Sequence, residues 1–68
     1  MTVLIAFRAD LTAEMLEYDL PPREAAEAMV DEIGGDHIRA VFDITSGEPV
    51  FVMEEDPWHY LRRVRDAR

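Results

Sequence analysis

HIRAVFDITSGEPVFVMEE, residues 37–55, is the stretch that decides the fold. It holds two runs rich in β-branched and aromatic residues, separated by a Ser-Gly pair, which is the pattern of a β-hairpin with a tight turn. We expect Thr45 to pair with Glu48 across that turn. The sequence therefore predicts one strand over residues 37–45 and a second over residues 48–54.

This register gives the hairpin one apolar face and a second face on which valines lie among charged residues, because residues two apart along a strand share a side. Phe42 lies opposite Phe51 on the face we assign to the core. The core set on this face is Ile38, Ala40, Phe42, Ile44, Phe51 and Met53. Val41, Val50 and Val52 then form an apolar patch on the other face, which the last helix, a second copy of the chain or another protein would cover.

Four further elements follow from the spacing of apolar residues and from the turn residues. The apolar run at residues 2–8 predicts a strand. A short helix is expected at residues 11–17, ended by the proline pair at 21–22. The i, i+3, i+4, i+7 stripe predicts a helix at residues 22–33, which a Gly-Gly pair ends, and an acidic cap before proline predicts a last helix at residues 57–67.

The resulting fold class is α+β, as one small two-layer domain over residues 1–68. Its element order is β, short α, α, β, β, α. Because helices join the first strand to the hairpin, we expect that strand to run parallel to its neighbour. The sheet is then three-stranded and mixed, with the hairpin of residues 37–55 at its centre.

The charge of the chain limits the partners that it can have. The net charge is −8, from 15 acidic and 7 basic residues, which disfavours direct binding to nucleic acid or to an anionic membrane. No apolar run is long enough to span a bilayer or to form a signal peptide, so we expect a cytoplasmic protein without a membrane contact. All basic residues are arginine, and alanine is frequent, which is typical of a GC-rich bacterial, phage or mobile-element genome.

The charge is also unevenly distributed. Residues 1–57 hold three arginines and 14 acidic residues, a net charge of −11, whereas residues 58–68 have a net charge of +3. The arginines at the end of the chain favour the C-terminal end of a helix dipole. They also make Arg62, Arg63 and Arg65 candidates for an electrostatic contact with a protein partner.

Few residues suit catalysis or metal binding. Glu55 and His59 share a helical face at a spacing that a metal-assisted enzyme could use, but such spacings are common by accident. Asp36-His37 follows the double glycine, where active-site residues often lie. The chain has no cysteine, and its single serine is explained by the hairpin turn. We therefore predict no catalytic residues, no metal and no cofactor.

Three functions remain as hypotheses. The first is a small acidic non-catalytic protein-interaction module that forms a homo-oligomer and acts as a regulator, adaptor or inhibitor. The second is an antitoxin or nucleic-acid mimic that occludes a basic protein, since seven carboxylates lie within residues 14–32. The third is the metal-assisted enzyme at Glu55 and His59.

Overall fold

The structure is a computed structural model that describes residues 1–53 and 55–66, with side chains described up to Arg62. Over these residues the chain forms a small α+β fold with one antiparallel sheet and two helices. The elements in chain order are β1 (Thr2–Arg8), β2 (Ala13–Tyr18), α1 (Pro22–Ile33), β3 (Ile38–Asp43), β4 (Pro49–Val52) and α2 (Trp58–Asp66).

The sheet has four strands in the order β2-β1-β3-β4, and every neighbouring pair is antiparallel. The prediction of a three-stranded mixed sheet is wrong. Both β2 and β3 run opposite to β1, so they are parallel to each other with β1 between them. The helical crossover expected from the sequence therefore exists, but α1 makes it from β2 to β3, across β1.

The segment predicted as a helix at residues 11–17 is a loop followed by strand β2. Six consecutive residues of β2 pair with β1 without a register shift. Alanine, glutamate, methionine and leucine favour helices in isolation, but pairing along a buried strand outweighs that preference. The alternation that identifies the strand is visible in burial: Glu14, Leu16 and Tyr18 are half-buried, while the residues between them are exposed.

The two helices cover opposite faces of the sheet. Leu4 and Ala6 of β1 pack against Met29 of α1, and the next residue, Phe7, packs against Tyr60 of α2. Because successive strand residues point to opposite sides, the fold has three layers, and the two-layer prediction is wrong. We call these two surfaces the α1 face and the α2 face.

An aromatic cluster fixes α2 on its face. The ring of Tyr60 stacks on that of Phe7, with centroids 5.2 Å apart and planes 21° apart. Phe42 meets Phe7 edge-on at 5.9 Å, and Trp58 lies 5.6 Å from Phe42. Offset and edge-to-face contacts of this kind contribute beyond the area that they bury.

The β3–β4 hairpin has a longer loop than predicted. The amide of Gly47 donates to the carbonyl of Asp43 at 2.8 Å, and the amide of Asp43 donates to the carbonyl of Glu48 at 3.0 Å. The loop therefore comprises residues 44–47, and Asp43, not Thr45, pairs with Glu48. Gly47 has φ +75°, a conformation that glycine adopts at no steric cost.

This loop and a β-bulge change the strand register. Ala40 lies opposite Val52, Val41 lies opposite Phe51, and the register shifts between Val41 and Phe42. A one-residue change of register moves side chains to the other face, so the predicted Phe42–Phe51 pair does not form. Two residues assigned to the core, Ile44 and Met53, are exposed. Residues 54 and 67, where a predicted strand and helix end, lie outside the described part.

Candidate interaction surface

The structure separates the three valines that were predicted to form one patch. Val41 is completely buried and belongs to the core beneath α1. Val50 and Phe51 both pack against that same core. Consecutive strand residues normally face opposite sides, but the β-bulge changes the direction of one side chain. Val52 is 40% exposed and lies on the α2 face, opposite Ala40. Val41 is therefore not available to a partner in this fold, and Val52 lies on the opposite face from Val41 and Val50.

Four exposed apolar residues, Met15, Ile44, Val52 and Trp58, lie on the α2 face. Helix α2 covers the centre of that face through Tyr60 and Leu61. Along the β2 side Met15 is 56% exposed, next to Ile5 on β1. We call the α2-face residues Ala13 and Met15 of β2, with Val3 and Ile5 of β1, the β2 margin.

A second group of exposed apolar residues surrounds Phe42 at the other side of α2. Ile44 follows Phe42 along β3 and continues the ladder, since its amide donates to the carbonyl of Val3 at 2.9 Å. Trp58, 42% exposed, rests against the Phe42 ring. We call Ile44, Val52 and Trp58 the β4 margin.

The β1–β2 loop holds β2 in place through polar contacts. Asp10 Oδ1 accepts from the amide of Thr12 at 3.0 Å and from its hydroxyl at 2.6 Å. These hydrogen bonds, with the nearby Arg8 charge, lower the pKa of Asp10. The Arg8 guanidinium also bonds Glu14 Oε2 at 2.7 Å, so one carboxylate of β2 is neutralised by its neighbouring strand.

The start of α2 is positioned by Asp56, as the acidic cap in the sequence predicted. Its Oδ1 accepts from the Trp58 amide at 3.1 Å, and its Oδ2 accepts from the Arg62 guanidinium at 2.9 Å. The hydrogen bond from Arg62 lowers the pKa of Asp56. Of the three arginines predicted to contact a partner, Arg62 is therefore engaged within its own chain, and the side chains of Arg63 and Arg65 lie outside the described residues.

The outer side of α1 is acidic. Glu24, Glu27 and Asp31 are exposed and recur at one- and two-turn spacing. Glu32 accepts a hydrogen bond from the Tyr18 hydroxyl at 2.6 Å, which ties α1 to the edge strand β2. Desolvation of the phenol, together with this contact and the Glu32 charge, raises the pKa of Tyr18 to about 12.

A shallow cleft of about 220 Å³ lies between the β1–β2 loop and the loop after α1. It brings Asp36 and His37, the pair singled out in the sequence, next to Arg8 and Asp10. Arg8 and Asp10 are already engaged with Glu14 and Thr12. The lining residues supply no hydroxyl or thiol nucleophile, and within residues 1–53 and 55–66 no three His, Asp or Glu side chains are grouped to hold a metal ion.

Glu55 and His59, the proposed metal pair, lie just before and in the first turn of α2. Glu55 is exposed, and Asp56 is occupied by Trp58 and Arg62. The His59 ring lies 3.9 Å from the ring of Tyr60.

Sequence reasoning missed Met15, because it placed this residue on the inner side of a helix. The exposed residues Ala13, Met15 and Glu17 alternate with the partly buried Glu14, Leu16 and Tyr18. This alternation could have identified Met15 as a surface residue of a strand, because it fits a strand as well as a helical turn. Searches against protein-family models, curated proteins and solved structures gave no significant match. Neither helix in the described part of the chain has the length and apolar character needed to cross a bilayer.

Proposed function

We propose that this chain is a small, acidic, non-catalytic protein-interaction module that associates with a copy of itself and acts as a regulator, adaptor or inhibitor. The observation that supports this proposal is the unequal covering of the two sheet faces. Both helices bury the centre of the sheet, but on edge strand β2 Leu16 and Tyr18 pack against the core beneath α1, whereas Met15 on the α2 face is 56% exposed.

Exposed apolar surface of this kind favours association. Each square ångström removed from water contributes roughly 25 cal/mol, so covering several large apolar side chains gives a useful driving force. A chain of 68 residues has little core of its own and gains more from such burial than a large domain does. At both margins a strand at the sheet edge coincides with exposed apolar side chains, and at the β2 margin that strand is the longer one.

Sedimentation velocity over a range of protein concentrations tests the proposal. The expected mass rises from 7.8 kDa towards twice that value as the concentration increases. Met15→Glu should hold the chain at the monomer mass with an unchanged circular dichroism spectrum, because the Met15 side chain is exposed. Thr45→Glu adds the same charge in the exposed hairpin loop and should leave association intact. A mass of 7.8 kDa at every concentration up to about 1 mM would exclude self-association.

The antitoxin or nucleic-acid mimic is kept as a second proposal, because the outer side of α1 presents Glu24, Glu27 and Asp31 together. Carboxylates on one helix face could occupy a basic cleft that otherwise holds phosphates. A pull-down from the host lysate, compared with the triple variant Glu24→Gln, Glu27→Gln, Asp31→Asn, tests this. Enrichment of nucleic-acid-binding proteins by the wild-type chain alone would support mimicry, and equal capture by both would oppose it.

A further inference from the structure

The two edges of the sheet differ in how far they are protected against pairing with another strand. Natural proteins protect edges with short strands, prolines, lysines and bulges. Edge strand β4 has three of these features: four residues, Pro49 at its start, and the bulge at Val50. Edge strand β2 lacks the short length, the proline and the bulge, since it has six residues in unbroken register with β1; its charged residues are Glu14, which Arg8 pairs, and Glu17.

The hydrogen-bonding pattern of β1 determines in which direction the backbone amides and carbonyls of β2 point. The carbonyl of Val3 accepts from Ile44, so odd-numbered residues of β1 point their backbone groups at β3. Even-numbered residues of β1 therefore point at β2, and they lie opposite even-numbered residues of β2. It follows that the amides and carbonyls of Ala13, Met15 and Glu17 point away from the sheet, on the side where β2 has no neighbouring strand among residues 1–53 and 55–66.

We propose that β2 pairs antiparallel with β2 of a second copy, with Met15 opposite Met15 on a two-fold axis normal to the sheet. The inference rests on the self-association proposed above and specifies its geometry. The product is one continuous eight-stranded sheet, in which the two β2 margins adjoin on the same face. All three outward residues of each strand then form hydrogen-bonded pairs.

The side chains fit this register. Ala13 lies opposite Glu17, and Glu14 lies opposite Leu16, so no carboxylate faces another directly. Glu14 already carries an ion pair with Arg8 at 2.7 Å. The two copies of Glu17 are about 14 Å apart along the strands, at roughly 3.4 Å per residue, which is beyond the Debye length of about 8 Å at physiological salt.

The neighbouring registers fit less well. A shift in one direction places Glu14 opposite Glu14 at the axis, and like charges directly opposite each other are destabilising. A shift in the other direction places Leu16 at the axis and pairs Met15 with Glu17, which leaves Ala13 without a partner. The Met15 register is therefore the one that uses every outward backbone group without opposing two carboxylates.

Disulfide trapping tests the register directly, because the chain has no cysteine of its own. Residues in a hydrogen-bonded antiparallel pair have Cα atoms about 5.5 Å apart, which matches disulfide geometry. Mild oxidation of the folded Met15→Cys variant should therefore give a covalent dimer in high yield. Glu17→Cys on the same face is the matched control and should cross-link at least ten-fold more slowly. Equal rates at both positions, or faster trapping at Leu16→Cys, would overturn the proposal.

A proline at the same position tests the backbone contact. Met15→Pro removes an outward amide that β1 does not use, and proline is tolerated on edge strands in that orientation. It should abolish the dimer, whereas Met15→Ala, which keeps the amide, should retain a measurable dimer at higher concentration. If Met15→Pro unfolds the chain, the trapping result decides. A dimer that forms without Met15 trapping rejects this pairing but leaves self-association standing; a chain that remains at 7.8 kDa rejects both.

Discussion

Leu11 shows at the level of one residue how the β1–β2 hairpin is closed. Its φ is +73°, in the left-handed region, and its amide donates to the carbonyl of Arg8. This is the position of a three-residue hairpin loop that glycine normally occupies. A leucine there carries a steric cost of roughly 1–2 kcal/mol.

Leu11→Gly should therefore stabilise the protein. Relief of the steric cost exceeds the added freedom of glycine in the unfolded chain, for a net gain of about 0.5–1 kcal/mol. Thermal unfolding followed by circular dichroism should show a midpoint a few degrees higher. Leu11→Ala removes the exposed side chain but keeps the strained conformation, so it should not reproduce the gain. A lower midpoint for Leu11→Gly would contradict this account of the loop.

Tyr18 gives a prediction for alkaline pH. Its pKa is raised from 10 to about 12, so the folded chain holds the phenolic proton more tightly than the unfolded chain does. The stabilisation that this provides is complete below pH 10 and is lost as the pH rises through about 12. Absorbance titration near 295 nm follows the phenolate, and Glu32→Gln should lower the pKa of Tyr18 because it removes the negative charge. An unchanged Tyr18 titration in that variant would show that Glu32 has no such role.

At the level of elements, the sequence predicted β1 and α1 with the bounds that the structure shows. Their signals are strong because each reports burial directly: β1 is apolar on both sides, and α1 has an uninterrupted stripe ended by glycine. Strand β2 was not predictable in the same way. Its residues favour a helix locally, and only pairing with β1 makes them a strand.

The β3–β4 register shows a second limit of sequence reasoning. The Ser-Gly pair correctly marked the turn region, but the loop length depends on Asp43, whose carboxylate accepts from the Thr45 amide. The bulge at Val50 also leaves no distinct mark in the sequence, since Val50 and Phe51 are both ordinary strand residues. For this reason Val52 lies on the α2 face while Val41 and Val50 lie on the α1 side, because a change of one residue in register exchanges the faces.

A pair of alanine substitutions measures this register. Val41→Ala should cost about 2 kcal/mol or more, since it leaves a cavity at a side chain with no exposed surface. Val52→Ala should cost less than about 0.5 kcal/mol, because that side chain is 40% exposed. Chemical denaturation of both variants gives the two values. Similar costs for the two valines would support the face assignment made from the sequence and contradict the bulged register.

At the level of elements, Asp56 links the start of α2 to the β4 margin, because it accepts a hydrogen bond from the amide of Trp58. Asp56→Ala removes the acceptor for the Trp58 amide and the partner of Arg62. We expect less helical signal at 222 nm and a red-shifted fluorescence of Trp58, the only tryptophan. Because the pKa of Asp56 is lowered in the fold, the wild type should approach the variant as the pH falls below about 4. Unchanged fluorescence would mean that the cap does not position Trp58.

For the whole molecule, pairing through β2 would join two acidic chains into one unit. The dimer would carry two β4 margins and two acidic α1 surfaces at fixed separation, and a bivalent unit can bind a repeated partner more tightly than either copy alone. This arrangement suits an adaptor or inhibitor.

Salt distinguishes this dimer from a head-to-tail contact between the basic C-terminal segment and the acidic body. Two copies of charge −8 repel each other, so added salt should strengthen two-fold pairing. We expect the dissociation constant to fall several-fold between 50 and 500 mM sodium chloride. A contact of basic segment with acidic body would instead weaken over the same range. Sedimentation equilibrium at both salt concentrations gives the answer.

Self-association of the chain through edge strand β2 is the central proposal. The most direct measurement is the solution mass of the wild type and of Met15→Glu over the same concentration series. The account predicts that the wild-type mass rises from 7.8 kDa to twice that value while Met15→Glu stays at 7.8 kDa. A wild-type chain that remains monomeric throughout, or a Met15→Glu variant that dimerises equally well, would contradict it.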